Sequence, residues 1–206
     1  YQALGNSSRA LALAERVSKS AHNTGYMKLA LEAEVIASDS RPEVTGIDSI
    51  EQHKAVFSRA KKYNYADLAS ELQLTLGRYC RDHARSYNAL HYFEDLCHAR
   101  STPERIRLEA AVHRTGILAD RGNYETSTAE LIELESRAAA SGFIPIAAQA
   151  ARLQGTLQIE RGRADLYDDC RLRVDQYRKK LLSALPDGFK AEKYKKKLIL
   201  PKLKRK

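Results

Sequence analysis

The chain has no Trp, one Met, three Cys, five Pro and ten Gly in 206 residues, and each scarcity narrows what it can be. Cys80, Cys97 and Cys170 form no CxxC pair and no even framework, which suits a reducing compartment, and the cytoplasm is the expected location. No apolar run approaches the roughly 20 residues that span a bilayer, and residues 1–30 lack a basic start followed by an apolar stretch, so neither a membrane span nor a secretory leader is expected. The phosphate loop GxxxxGK[ST], the turn GxGxxG, the elbow GxSxG and the zinc-protease helix HExxH are all missing. An enzyme is therefore not expected, nor is a cofactor. What remains is rich in Ala, Leu, Glu, Arg and Lys, the residues that cost least in a helix, and the expected class is all-α. A chain of this length can bury about two-thirds of its unfolded surface without disulfides or metals. It begins at Tyr1 with no initiator Met, and reads as a candidate fragment of something longer.

The formal charge of +9 is not spread evenly. Residues 190–206 hold nine basic residues and one acid, Glu192, a net +8 that leaves +1 for residues 1–189. The body is balanced and the basicity belongs to a tail.

An internal period organises the body. Gly46, Ala84, Gly122 and Gly162 are spaced by 38, 38 and 40 residues, and Gly5 stands 41 before the first. Each is preceded, 20 or 21 residues earlier, by Gly25, Asn64, Thr102 or Gly142. Breakers at this spacing predict helices of about 15–18 residues joined by short turns, the hairpin unit of a solenoid. Aligned on these points, the first helices carry Leu29, Leu68, Ile106 and Ile146 at one offset, then Ala33, Leu72, Ala110 and Ala150 one turn later. Both sets read as core. Further along, Ser38, Gly77, Thr115 and Gly155 are all small, as a close helix crossing requires. The returning helices repeat Ala10, Ala14 and Val17, then Ala89, Phe93 and Leu96, then Ser127, Leu131 and Leu134. In the last copy Tyr167, Arg171 and Val174 stand at those offsets, as in a terminal unit whose outer face meets solvent.

The stretches LTLGRYCRDHARSYNALHYFEDL (74–96), ILADRGNYETSTAEL (117–131) and LQGTLQIERGRADLY (153–167) resemble the tetratricopeptide (TPR) consensus. Each has a small residue in its first helix, a turn with an aromatic near it, and small then large apolar residues in its second. The period near 40 rather than 34 and the closing LLSALPDGFKAEKY are similar to the TPR-like arrays at the C-termini of bacterial STAND-type regulatory NTPases. That resemblance implies a sensor or scaffold region of a larger regulatory protein. The expected fold is a right-handed α-solenoid of about four TPR-like hairpins, near 25–63, 64–101, 102–141 and 142–183, preceded by a half-repeat. Residues 1–183 form the repeat domain and 184–206 a C-terminal helix with the basic tail.

The first helices of a TPR array line its concave face, which implies a groove bearing Glu71, Leu74, Arg78, Asp82, Glu109, Val112, Asp120, Gln149, Arg152 and Glu160. Their mixed signs fit a protein or peptide partner with charges and apolar anchors, and fit a solvated face equally well. In a second reading, Lys193, Lys195, Lys196, Lys197, Lys202, Lys204, Arg205 and Lys206 contact nucleic-acid phosphates. The cluster Cys80, His83, His91, Cys97 and His98 has the right atoms for zinc but not a known ligand spacing, and no metal site is expected. Asp82, His83 and Glu94 lack a nucleophile to activate, so no catalytic residue is assigned. Tyr63, Tyr65, Tyr79, Tyr87 and Tyr92 read chiefly as packing between helices, with stacking on bases as the alternative.

Overall fold

The computed structural model describes residues 7–41 and 46–184; the tail with its basic residues from Lys193 to Lys206 lies outside the described residues. Among the described residues there are nine α-helices and no strand: α1 (Ser7–Asn23), α2 (Met27–Ser40), α3 (Gly46–Lys62), α4 (Ala66–Asp82), α5 (Ser86–His98), α6 (Glu104–Asp120), α7 (Tyr124–Ala140), α8 (Ile144–Glu160) and α9 (Ala164–Ser183). The chain divides into two compact units, Tyr1–Ile106 and Arg107–Lys206.

Six of the nine expected breakers are the joints between helices, and Gly5 lies outside the described residues. Gly25, Asn64, Ala84, Gly122, Gly142 and Gly162 all take positive φ, between 57° and 95°. Each closes its helix with the same pair of hydrogen bonds. At Gly142, its own N–H donates to Ala139 O (3.2 Å) and the next N–H, of Phe143, donates to Ala138 O (2.8 Å). At Ala84 the pair is Ala84 N–H to Arg81 O (3.2 Å) and Arg85 N–H to Cys80 O (2.8 Å). This Schellman arrangement pairs carbonyls that a helix end otherwise leaves open, and it needs one left-handed residue. Gly46, by contrast, is the first residue of α3, and Thr102 lies in the stretch between α5 and α6.

In the first unit α1 packs on α2, α2 on α3, α3 on α4 and α4 on α5. Leu31, Val56, Ala60, Leu68 and Leu72 form one apolar cluster from α2, α3 and α4. Phe93, Leu96 and Ala89 of α5 are buried, and the Phe93 ring lies over Gly77 of α4. In the second unit Leu108, Val112, Leu131, Leu134, Ile146, Ala150 and Leu157 join α6, α7 and α8. Tyr167 and Val174 of α9 pack on Ala151 of α8.

Ser38, Gly77, Thr115 and Gly155 are all buried, and so are Ala33, Leu72, Ala110 and Ala150. Leu29 is a correction: it is 48% exposed, whereas its counterparts Leu68, Ile106 and Ile146 are buried. Leu68 packs in a cluster with Leu31 and Val56 of the preceding hairpin, and among the described residues α2 has α1 alone before it. Arg171 is exposed as well; Cys170 fills the inward position beside Tyr167 and Val174.

Candidate functional site: a polar cleft on helices α7 to α9

In the first unit, Glu71, Arg78 and Asp82 of α4 share one charged neighbourhood. Arg105 from the start of α6 pairs with Glu71, and Arg81 pairs with Asp82 at 2.8 Å. Arg78 is half-buried, and its guanidinium is pushed below its usual range by burial first and by the positive charge of Arg81 second. Leu74 of the same helix is buried. In the second unit Gln149 of α8 lies 3.3 Å from the ring of the buried His113 of α6. Glu109 and Arg152 are half-buried, and Asp120 and Glu160 are exposed at the ends of α6 and α8. Val112 is buried in the apolar cluster. Leu74 and Val112 are therefore core rather than groove residues. Helices flanked on more than one side bury a wider arc than a single stripe, and these two fall within it.

The other sequence candidates separate. Cys80 is buried, and burial pushes its thiol up. His83 stacks on Tyr79 at 3.9 Å between ring centroids, and exposed His91 lies 3.7 Å from Asp95. Among the described residues no three His, Cys, Asp or Glu side chains form a metal-binding group. Tyr65 packs against the α2–α4 cluster, but Tyr63 and Tyr87 are exposed, so these two are not interhelix packing.

The second unit also holds an arrangement that the sequence reading did not select. Glu135 of α7 is buried, and its carboxylate is fully engaged. One oxygen accepts from Gln154 Nε2 of α8 at 2.8 Å. The other accepts from Arg173 Nε of α9 at 2.9 Å and from the Tyr177 hydroxyl at 3.1 Å. Arg173 closes the circuit by donating to Gln154 Oε1 at 2.8 Å. Three helices are thereby tied through one charge-assisted network, the kind of geometry in which a buried carboxylate is tolerated. Burial lowers the affinity of Arg173 for its proton, but the hydrogen bond and charge of Glu135 outweigh it and hold the guanidinium above its usual range. The Tyr177 phenol is pushed up to about 12, by burial and then by the negative charge of Glu135.

Beside this network lies an open cleft of about 660 Å³, lined by α7, α8 and α9. Its polar lining includes Gln154, Gln158, Arg163, Asp169, Arg173 and Tyr177, and its apolar lining includes Ile132 and Leu166. Gln154 uses both ends of its carboxamide, whereas Gln158, one turn further along α8, has no partner for Oε1 although it is only 5% exposed.

No protein-family model, curated protein or solved structure matches this chain. The TPR and STAND resemblance therefore stands on the residues that carry it. A signal for the cleft was present in the sequence: Ala147, Ala151, Gln154 and Gln158 fall on one helix face, so two carboxamides continue a core stripe.

Proposed function

We propose that this chain is a non-catalytic protein-interaction module, a right-handed α-solenoid of four TPR-like hairpins after a half-repeat. Its first helices offer a concave face to a protein or peptide segment. The observation that supports this most is the recurrence of one joint at six places on the period of the sequence, since stacked copies of a single hairpin present regularly spaced surface positions to an elongated partner. Glu71, Arg78 and Asp82 in the first unit, and Glu109, Asp120, Gln149, Arg152 and Glu160 in the second, are the contact residues of this reading. Both signs occur within one neighbourhood around Arg78, which suits a segment bearing charges of both signs rather than a polyanion. In the cell this module acts as the sensor or scaffold part of a larger regulatory protein in the cytoplasm.

Affinity capture tests it, with the wild-type chain, a chain lacking residues 190–206 and a variant carrying Arg78→Glu and Arg152→Glu whose helicity is checked by circular dichroism. A protein retained by the first two and lost by the third supports recognition by the first helices. A second reading, favoured by the net +8 of residues 190–206, is nucleic-acid binding through the tail. Nucleic acid that falls away with the tail, with a steep dependence on salt, would select it.

A further inference from the structure

We infer that the exposed stripe of α2 formed by Leu29 and Ile36 is a docking site for one amphipathic α-helix of a protein partner. The inference rests on the reading of this chain as an interaction module, and it concerns a different surface from the one that bears Arg78 and Arg152.

The repeat itself shows what this stripe is built to receive. Leu29 is 48% exposed and Ile36 is 43% exposed, and a spacing of seven puts both on one face of α2. Counted from the breaker before each first helix, their counterparts are Leu68 and Thr75, Ile106 and His113, and Ile146 and Leu153. Leu68, Ile106, His113 and Ile146 are buried, and Thr75 and Leu153 are half-buried. Val17 of α1 follows the same pattern: it is half-buried, whereas Leu96 and Leu134 at its offset are buried. Positions that the later hairpins close are thus open on α1 and α2.

The side chains that close them elsewhere have a recurring form. Leu68 of α4 packs with Leu31 and Val35 of α2 and with Val56 and Ala60 of α3. Ile146 of α8 packs with Leu108 and Val112 of α6 and with Leu134 and Ala138 of α7. In both, a preceding first helix supplies Leu and Val one turn apart, and the returning helix supplies the rest. For α2 the returning helix is in place, since Ala21 of α1 is buried at the offset of Ala138. Among the described residues, it is the first-helix half of the cover that α2 lacks.

Charge adds a second requirement. The third residue after a breaker reaches back to the preceding first helix, Asp67 to Lys28 at 2.5 Å and Arg105 to Glu71. Lys28 holds that third place on α2. An incoming helix therefore gains an ion pair if an acid follows its Leu, as Glu109 follows Leu108 in α6. A second copy of this chain has no such helix to offer, because Leu31, Leu108 and Val112 are already buried in its own core. The occupant is a helix of another protein, with the pattern Leu-acid-x-x-Val.

The test uses a fluorescein-labelled peptide with the sequence of α6, which carries Leu108, Glu109 and Val112, held helical by a lactam bridge on its opposite face. Fluorescence anisotropy with the full chain should show saturable binding, and Leu29→Asp or Ile36→Asp in the chain should weaken it about tenfold or more. Both side chains are already partly in water, so these variants keep the fold, as circular dichroism would verify. Lys28→Glu should also weaken binding, and a peptide carrying Glu109→Lys should prefer that variant to the wild-type chain. Non-specific apolar adhesion would not give this inversion. No saturable binding, or affinities for Leu29→Asp and Ile36→Asp within about twofold of wild type, would overturn the site. So would sedimentation showing a dimer that Leu29→Asp dissociates, since the occupant would then be a second copy. If Arg78→Glu or Arg152→Glu abolishes peptide binding while Leu29→Asp does not, the interaction-module reading stands and the α2 site falls. If the peptide behaves as expected but no captured protein depends on Arg78 or Arg152, the α2 site stands and the contact residues proposed above fall.

Discussion

The ring of Phe93 occupies the space in which a Cβ on Gly77 would sit, with Phe93 Cε1 2.6 Å and Cζ 2.9 Å from that position. Phe93 is fully buried, so the ring cannot swing into solvent to make room. Ala is favoured over Gly inside a helix by about 1 kcal/mol, but overpacking a filled core costs about 1–3 kcal/mol. Gly77→Ala is therefore expected to destabilise the protein by up to about 2 kcal/mol. Phe93→Leu should cost less in the Gly77→Ala background than in the wild-type background, a coupling that urea denaturation followed by circular dichroism would resolve.

Ala84 supports the same left-handed joint as four glycines, at φ 57°. A Cβ there costs about 1–2 kcal/mol, offset in part by the greater freedom glycine gives the unfolded chain. Ala84→Gly should stabilise by about 0.5–1 kcal/mol, and Gly122→Ala should destabilise by at least that much. Paired thermal melts would show the opposite signs; equal melts for both would mean the joints do not hold this conformation in solution.

Truncating Glu135 should be the costliest single change in the second unit. Glu135→Ala strands Gln154 and removes the partner of Arg173. Losing one member of a buried pair typically costs about 3–5 kcal/mol, but Arg173 is 37% exposed and water can take over part of the role. The expected loss is about 2–3 kcal/mol, with Glu135→Gln losing less because it keeps the shape and one of the two acceptors, although its NH2 then faces the Gln154 donor.

Tyr177 gives the second unit an alkaline limit. Its phenol is raised from 10 to about 12 in the folded state, so the unfolded chain loses that proton first as pH rises. Its contribution is complete below pH 10 and is lost as the pH passes through about 12. Stability should fall across that window more steeply in wild type than in Tyr177→Phe, measured by urea titration at several pH values. Equal slopes would mean that Glu135 and burial do not act on this phenol.

What the sequence made legible, and what it hid, follows from how each feature is encoded. A left-handed joint needs Gly or Asn, so five of the six joints announced themselves as breakers, and Ala84 was found by its place in the period alone. The small residues at helix crossings were legible for the same steric reason. Leu29 misled because periodicity reports which face is apolar, not whether a neighbour covers it. Leu74 and Val112 misled in the other direction, since a helix packed on several sides has little free face. The Glu135 network was hidden because Glu and Gln ordinarily signal solvent. Their placement beside buried alanines was the contrary clue.

The joints also fix how such a chain can change. In each of the six, the residue after the left-handed one completes the closing bond of one helix and immediately precedes the next, as Tyr65 does between α3 and α4. There is no slack residue between the two. Inserting a single amino acid into the adjoining helix turns everything beyond it by about 100°, carrying an apolar face away from its neighbour. Point insertions are consequently punished, whereas duplication or loss of a whole hairpin returns every face to register, so length in this architecture changes in steps of a repeat.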